Sequence, residues 1–301
     1  MIEPEAKNTA AAILAASIFV HSKDDNAVLL VAPSDHVIPD TDDFHVAIKV
    51  RLSHVQNQKM VTFGIKPTHP ETGSGYLELA KDPIDDSGTA DLEKFIEKPD
   101  LQDAKQMLEA GHYLWNAGIF LFRPQDMVNA FRAYAPGTLD LLSKSLNEAS
   151  TDLGFLRLAS EPWSELQDIS IDCAIMEKAQ NLVAVPYASK WSDLGGWDAV
   201  CSESKPDALG NVTSETAHAI ECSNSLLRSE SSGQQVVGIG LDNIMAIAMS
   251  DALLVAPKDR AQDVKKAVEL LKAKDIAQAE IFLKDHRPWG LFESLALREC
   301  F

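Results

Sequence analysis

Short, continuous runs of apolar residues recur along the first two hundred positions and predict buried strands. A run without polar alternation is typical of a strand that is covered on both faces. The predicted strands lie at 27–32, 60–65, 92–97, 113–122 and 182–187.

Alanine-rich or amphipathic stretches lie between these runs and predict helices. Asn8 or Thr9 can cap the alanine-rich stretch, which we expect to be helical through about Val20. Residues 40–56 carry apolar side chains at helical spacing along one face. Further helix signals are a cap at Asp100, a stop at Gly111, a start at Pro124 and a short helix at 198–202.

The alternation of strands and helices predicts an α/β fold with a doubly wound, mostly parallel sheet over residues 1–205. Short β-type runs and polar turns then predict a small β-rich unit, followed by a helix capped by Asp259, over residues 206–283. We interpret residues 284–301 as a linker remnant, and no internal repeat is evident.

Charge and cysteine content narrow the classes of function. The formal net charge of −18 argues against a nucleic-acid partner or an anionic membrane surface, because both reward clustered Lys and Arg. The four cysteines lie far apart, so neither a zinc site nor a disulfide framework is predicted. The run from Ala10 to Val20 is too short to span a bilayer, and the acidic N-terminus is unlike a signal peptide. A cytoplasmic location fits these observations best.

Two aspartates follow predicted strands, and both are candidates for a metal site. Asp35 lies just beyond the first strand, and Asp193 lies in the stretch WSDLGGW beyond the last. Carboxylates at the carboxyl edge of a parallel sheet suit Mg²⁺, which takes one or two protein oxygens plus substrate phosphates. The alternative for either residue is a loop cap or turn former, and WSDLGGW could equally be a Gly-Gly turn with packing tryptophans.

Three further stretches carry groups suited to a sugar phosphate. Glu97 and Lys98 end a strand, where Lys98 could neutralise a phosphate and Glu97 could accept hydroxyl hydrogen bonds; alternatively they form an exposed ion pair. The glycine-rich segment around Gly75 allows close backbone approach to a ligand or a tight hairpin. Asn116 lies in an apolar strand and needs partners, either sugar hydroxyls or backbone groups.

These stretches, taken in order, closely resemble bacterial mannose-1-phosphate guanylyltransferases of the sugar nucleotidyltransferase superfamily. The resemblance covers nearly the whole chain, and no single stretch decides it. It is carried by EPEAKNTAAAI (3–13), VAPSDHVI (31–38), TFGIKPTHPETGSGY (62–76), FIEKPD (95–100), WNAGIF (115–120), SIDCAIMEK (170–178), WSDLGGW (191–197), DNIMAIAMSDALLVAPKDRAQDVK (242–265) and HRPWG (286–290).

The resemblance implies a role for each matched residue. Asp35 and Asp193 match the family's Mg²⁺ carboxylates, and Lys98 with Glu97 matches the pair that holds the sugar ring and its 1-phosphate. The other implied substrate contacts are Gly75, Asn116 and Asp172 at the sugar, and Glu3 and Asn8 at the base. The implied reaction joins GTP and mannose 1-phosphate into GDP-mannose and releases pyrophosphate, with Mg²⁺ as cofactor.

The chain also departs from the family pattern. The family opens with a strand and a G-G-x-G-T-R-x-x-P loop that grips the triphosphate, and this chain starts beyond that point. Lys7 stands where the family usually has Arg, Ser74 replaces a usual Tyr, and no isomerase domain follows. We therefore expect a chain truncated on both sides, which binds mannose 1-phosphate better than GTP, turns over poorly and self-associates. The alternative function is a catalytically silent remnant that binds a sugar phosphate or a partner chain, and a homo-oligomer is left open.

Overall fold

The computed structural model describes residues 1–80, 88–231, 233–279, 284–287 and 290–293. The chain divides into two compact units, Met1–Trp191 and Ser192–Phe301. Among the helices in the described ranges, none has both the length and the apolar content that crossing a bilayer requires.

A six-stranded sheet forms the centre of the first unit. Its strands are β1 (Leu29–Val31), β2 (Met60–Ile65), β3 (Tyr76–Leu79), β4 (Ala90–Ile96), β5 (Tyr113–Phe122) and β8 (Leu182–Tyr187). They lie in the order β1-β5-β2-β8-β4-β3, and β3 also pairs with β5. Two short strands, β6 (Ser150–Asp152) and β7 (Phe155–Arg157), form a separate hairpin.

The strand directions in this sheet are mixed. β2 runs parallel to β8, whereas the pairs β1–β5, β2–β5, β3–β4, β3–β5 and β4–β8 are antiparallel. The α/β class is confirmed, but the expectation of a mostly parallel sheet is corrected. An apolar run reports burial on both faces, and it carries no information about the direction of the neighbouring strand.

Helices cover both faces of the sheet. Met60 and Leu182 face a core that contains Leu14 and Phe131, while their neighbours Val61 and Val183 face a second core. Successive side chains of a strand point to opposite faces, so β2 and β8 contribute to both cores. The helices of this unit are α1 (Asn8–His21), α2 (Thr41–Gln56), α3 (Leu101–Ala110), α4 (Pro124–Tyr134), α5 (Pro136–Asn147), α6 (Ser160–Ser164) and a π-helical turn (Asp172–Met176).

Most helix ends follow the local sequence signals. Asp100 caps α3 by accepting a hydrogen bond from Asp103 N at 2.8 Å, and Gly111 ends it in the left-handed region at φ 75°. The predicted capping of α1 is wrong, because Lys7 occupies the cap position and makes no capping bond. Thr9 Oγ1 instead accepts a hydrogen bond from Ile171 N at 2.9 Å, which ties α1 to the segment before the π-helical turn.

The second unit contains the small β-rich structure that the sequence predicts. β11 pairs in parallel with β9 and β13, β10 pairs in parallel with β12, and β14 is antiparallel to β13. The bounds are β9 (Val212–Thr213), β10 (Ala217–Ile220), β11 (Leu226–Ser229), β12 (Val236–Ile239), β13 (Ile244–Ala248) and β14 (Leu253–Pro257).

Successive turns of this unit stack on one another. Ser223 hydrogen-bonds Asp242 and Asn224 hydrogen-bonds Asn243, and both pairs are separated by 19 residues. The structure therefore contains a short repeat that the sequence did not reveal. The repeat was missed because the strands that pair at this spacing, such as Ala217–Ile220 and Val236–Ile239, share very few residue identities.

The final helix and the tail differ from the expectation. A 3₁₀ segment (Lys258–Asp263) precedes α8 (Val264–Lys272), so Asp259 does not cap that helix; its Oδ1 lies 3.4 Å from Asn243 Nδ2. Upstream, α7 spans Trp197–Glu203. In the segment interpreted as a linker, β15 (Lys284–Arg287) pairs antiparallel with β16 (Gly290–Glu293). Residues 288–289 and 294–301 of that segment lie outside the described residues.

Candidate functional site

The ends of several strands bring polar residues to one edge of the sheet in the first unit. β2 is antiparallel to β5, so its carboxyl end lies beside the amino-terminal half of β5, whereas β1 ends with Val31 opposite Phe120. Ile65 lies opposite Trp115, and Gly64 lies opposite Asn116. A register shift between Thr62 and Gly64 interrupts this pairing, and such irregularities commonly re-aim side chains near functional sites.

Asn116 is the centre of a hydrogen-bond network at this edge. Its Nδ2 donates to Asp172 Oδ1 at 3.1 Å, at the start of the π-helical turn. Its Oδ1 accepts from Thr62 Oγ1 at 3.2 Å and from Gly118 N at 3.1 Å. Its backbone N donates to Gly75 O at 2.8 Å. The side-chain partners of Asn116 therefore include a second site candidate, Asp172, as well as the backbone.

Gly75 and Glu97 are in close contact next to Asn116, because β3 and β4 pair with Tyr76 opposite Ile96. A Cβ at position 75 would lie 2.9 Å from Glu97 Oε2, so the carboxylate occupies the space that any other side chain would need. Glu97 Oε1 also forms an ion pair with Lys98 Nζ at 3.0 Å.

Lys98 combines an exposed side chain with a constrained backbone. Its φ is 42°, which is uncommon for a residue other than glycine and costs conformational energy. Its side chain is 63% exposed, whereas that of Glu97 is 19% exposed. The Lys98 ammonium group therefore extends into solvent, while the Glu97 carboxylate that pairs with it is partly buried. The five residues Gly75, Glu97, Lys98, Asn116 and Asp172 are referred to below as the Asn116 cluster.

The electrostatics of the Asn116 cluster depend on burial and on the close carboxylates. Burial, followed by the negative charge of Glu97, raises the pKa of Asp172 to about 6, while the Asn116 hydrogen bond and the Lys98 charge oppose that rise. The hydrogen bond and charge of Glu97 raise the pKa of Lys98, so its ammonium stays protonated at neutral pH. Asp172 is thus the group in this cluster that would gain or lose a proton near neutrality.

Glu3 and Asn8 lie outside the Asn116 cluster. Backbone hydrogen bonds join Ile2 to Leu156 and Leu158, which holds the segment beside β7. Partial burial raises the pKa of the Glu3 carboxyl, although much of the residue is exposed. Asn8 has φ 57°, and its Oδ1 accepts from Thr9 N at 2.9 Å. Within the described residues, neither side chain hydrogen-bonds to the cluster.

The two aspartates predicted to bind magnesium belong to different units. Asp35 is exposed after β1, and it makes no hydrogen bond to any described residue. Asp193 Oδ1 accepts from Gly195 N at 3.0 Å, and a Cβ at position 195 would lie 3.0 Å from Asp193 Oδ2. Asp193 therefore forms a turn with Gly195, which is the alternative that the sequence offered for this residue. A shared ion stays a prediction.

The donor chemistry at these two positions fits magnesium. Carboxylate oxygens are its preferred protein ligands, and Asp35 has both oxygens uncommitted in the part of the chain that the structure describes. No group of three or more His, Cys, Asp or Glu side chains suited to a metal occurs among the described residues. An ion here would therefore need further oxygens from substrate phosphates or water, which is the usual magnesium arrangement.

Thr62 is the member of the network that the sequence did not single out. It is fully buried in β2, an otherwise apolar strand. A buried hydroxyl needs a partner, so the polar residue inside this apolar run was an available signal. Its partner, 54 positions away along the chain, is evident only from the strand pairing.

The comparisons with known proteins cover both units. Residues 1–208 match the family described as nucleotidyl transferase, and residues 217–271 match the MannoseP isomerase/GMP-like beta-helix domain. The xanthan biosynthesis protein XanB of Xanthomonas campestris pv. campestris (strain B100) is 35% identical over 301 residues, which are 100% of this chain and 63% of that protein. The mannose-1-phosphate guanylyltransferase of Escherichia coli (strain K12) is 34% identical over 299 residues, 98% of this chain and 62% of that protein.

A solved structure gives the same result for the fold. The crystal structure of a mannose-1-phosphate geranyltransferase from Thermus thermophilus is similar with a TM-score of 0.77 and 30% identity, over 90% of this chain and 77% of that one. The chain spans less than two thirds of the length of the two curated relatives named above. From the family match over most of its length, this chain belongs to the nucleotidyl transferase family.

Proposed function

We propose that this chain is a sugar nucleotidyltransferase core that forms GDP-mannose and pyrophosphate from GTP and mannose 1-phosphate. The observation that carries the proposal is the Asn116 cluster, in which an amide, two carboxylates, an ammonium and a glycine packed against Glu97 meet at one sheet edge. The names of two similar proteins, one for xanthan biosynthesis and one for mannose-1-phosphate guanylyl transfer, support the choice of substrates.

The cluster offers complementary groups to a hexose 1-phosphate. The Lys98 ammonium would neutralise the phosphate as a point charge, since its side chain reaches solvent. Glu97 would accept hydrogen bonds from sugar hydroxyls, and Gly75 would allow the sugar to approach the backbone. Charge-assisted hydrogen bonds of this kind contribute about 1.5–3 kcal/mol each.

The reaction would be an in-line attack by an oxygen of mannose 1-phosphate on the α-phosphorus of GTP, with pyrophosphate leaving. Such a reaction depends on positioning and charge neutralisation more than on proton transfer. Glu3 and Asn8 would contact the base. A carboxylate can accept both adjacent N–H donors of guanine, and partial burial strengthens such hydrogen bonds. Asp35 and Asp193 would hold Mg²⁺, which when bound neutralises phosphate charge.

The test combines binding and turnover on the full chain. Calorimetry should show saturable binding of mannose 1-phosphate, with mannose 6-phosphate as the matched control ligand. Pyrophosphate release should require GTP, mannose 1-phosphate and Mg²⁺ together, and should yield GDP-mannose in equal amount. A chain that binds no hexose 1-phosphate, or one that releases pyrophosphate without GDP-mannose, would contradict the proposal.

A further inference from the structure

Thr62 is buried without any exposure, and its hydroxyl is committed to one side chain. Its Oγ1 lies 3.2 Å from Asn116 Oδ1, and no other hydrogen bond of this hydroxyl occurs within the described residues. A buried hydroxyl costs free energy unless it is hydrogen-bonded, so this contact explains how a polar residue is tolerated in β2.

The contacts of Asn116 fix the orientation of its amide. A backbone N–H can only donate, so the side-chain atom 3.1 Å from Gly118 N must be the oxygen. Thr62 donates to the same oxygen, and its two lone pairs are then both used. The amide nitrogen must therefore face Asp172 Oδ1, 3.1 Å away.

This orientation leaves Asn116 with one unused hydrogen. An amide nitrogen carries two N–H donors, and Asp172 accepts one of them. In the described part of the chain the second N–H has no acceptor. Asn116 can therefore offer a ligand a donor but no acceptor.

We infer that Thr62 is a positioning residue, which holds the Asn116 amide so that its remaining N–H donates to an acceptor oxygen of the bound sugar phosphate. The inference rests on the proposed function for the identity of the ligand, and a sugar hydroxyl or a phosphate oxygen could be the acceptor. Because three hydrogen bonds already fix the amide, binding loses little of its side-chain entropy. Thr62 thus acts through Asn116 and does not itself touch the ligand.

The main experiment compares Thr62→Val, which keeps the side-chain shape, with Thr62→Ser, which keeps the hydroxyl. Thr62→Val should raise the Kd for mannose 1-phosphate about fivefold to tenfold, which is the loss expected for one hydrogen bond. Thr62→Ser should restore most of the affinity. Parent-like affinity in Thr62→Val, in a preparation whose parent binds the ligand, would overturn the inference.

Ser145→Ala is the matched control for loss of a buried hydroxyl. Ser145 is also fully buried, but its Oγ donates to Ala159 O at 2.8 Å, a backbone group. We expect this control to lower the Tm as much as Thr62→Val does and to leave the Kd unchanged. If both variants weaken binding equally, Thr62 has only a structural role.

A second measurement separates this inference from the proposed function. In the unaltered chain, one Asn116 side-chain amide proton should shift with pH at a midpoint near 6, because its acceptor Asp172 titrates there. The titratable groups around Asp172 are Glu97, Lys98 and Cys173. This NMR titration needs no ligand and no variant, so it tests the hydrogen bond from Asn116 to Asp172, on which the inference depends, even if Thr62→Val does not fold. A pH-independent Asn116 amide would refute the network; absence of sugar-phosphate binding alone would refute only the proposed function.

A comparison of two ligands decides whether the acceptor is a phosphate oxygen or a sugar hydroxyl. The rise in Kd that Thr62→Val causes is measured with mannose 1-phosphate and with free mannose. If the Kd rises for both ligands, the acceptor is a sugar hydroxyl. If it rises for mannose 1-phosphate alone, the acceptor is a phosphate oxygen. If the Kd rises for neither ligand, the positioning role of Thr62 is overturned.

Discussion

The Asn116 cluster and the region around Asp35 both lie at strand ends of the same sheet, yet they differ in how firmly their polar groups are held. In the cluster, Asn116 is fixed by Thr62, Gly118 and Asp172. Asp35 is exposed and makes no hydrogen bond within the described residues. The cluster is therefore organised before a ligand arrives, whereas Asp35 can gain a fixed position only from a ligand or an ion.

This difference separates two kinds of contribution to function. Preorganised groups reduce the cost of binding because their entropy is already lost in folding. An exposed carboxylate contributes little to the stability of the fold. Its electrostatic effect becomes large only when an ion or a developing charge lies next to it. Substitutions in the cluster should therefore change affinity, and substitution of Asp35 should change turnover.

The largest expected effect is on turnover in Asp35→Asn. We expect pyrophosphate release under single-turnover conditions to fall about 10²–10³-fold, because loss of a group that neutralises developing charge typically costs that much. The Tm and the Kd for mannose 1-phosphate should not change, since Asp35 is exposed and unbonded within the described residues. Asp140→Asn, an exposed aspartate on α5, is the control. A fully active Asp35→Asn would remove this residue from the proposed magnesium site.

Lys98→Ala should have the next largest effect, this time on affinity. Loss of one charged hydrogen bond, about 1.5–3 kcal/mol, corresponds to a rise of roughly 10- to 100-fold in the Kd for mannose 1-phosphate. Calorimetry measures it, with Lys105→Ala on the exposed face of α3 as the control. An unchanged Kd would show that the exposed ion pair with Glu97 has no role in binding.

Gly75→Ala should weaken binding by a smaller factor. The new Cβ would lie 2.9 Å from Glu97 Oε2 and 3.3 Å from the Phe95 ring, so the flexible carboxylate must move. We expect a rise in Kd of about fivefold with the fold retained, which corresponds to about 1 kcal/mol. Gly137→Ala is the matched control, because a Cβ there meets nothing within 4 Å. Equal affinities in the two variants would contradict the packing of Gly75 against Glu97.

The last prediction concerns the free energy of unfolding and its dependence on pH. Folding raises the pKa of Asp172 from 3.8 to about 6, so the folded state disfavours its ionised form. The contribution of Asp172 to stability is therefore fully present below pH 3.8 and is lost as the pH rises through about 6, in total by about 3 kcal/mol at 1.36 kcal/mol per pKa unit. Asp172→Asn cannot ionise, and it should raise the Tm at pH 7.5 by roughly 5 °C.

The pH series provides the internal control for that variant. At pH 4 the Tm difference between Asp172→Asn and the parent should nearly disappear, because the folded parent is then protonated at Asp172. A difference that is the same at both pH values would mean that the substitution acts through packing and not through the charge. A carboxylate kept at a cost in stability is typical of functional positions.

Local sequence signals were sufficient for much of the fold. The bounds of β2, β5 and β8 agree with the predicted runs, and Asp100 with Gly111 defines the ends of α3. Each of these depends on residues close together in the chain, through burial pattern or capping. The signals were insufficient at Thr9 and Asp259, which could have been caps but instead make contacts with Ile171 and Asn243, far away along the chain.

Some features of the candidate site could likewise be predicted from the sequence, and others could not. Glu97, Lys98 and Asn116 were visible in the sequence because a charged or amide side chain inside or at the end of an apolar run is unusual. Their roles at a sugar phosphate stay predictions. The direction of the amide, the occupation of its oxygen by Thr62 and the repeat of 19 residues in the second unit could not be read from the chain alone.

The sequence by itself determined several strands and helices, among them β2, β5, β8 and α3, and it marked Asn116 as a polar residue in an apolar run. Only the tertiary structure decided that β5 runs antiparallel between β1 and β2, and that Thr62 and Asn116 share a hydrogen bond across 54 positions. The physical reason is the distance along the chain over which each kind of interaction acts. Periodicity and capping act within a few residues, whereas strand direction and side-chain partners depend on the free energy of packing the whole sheet.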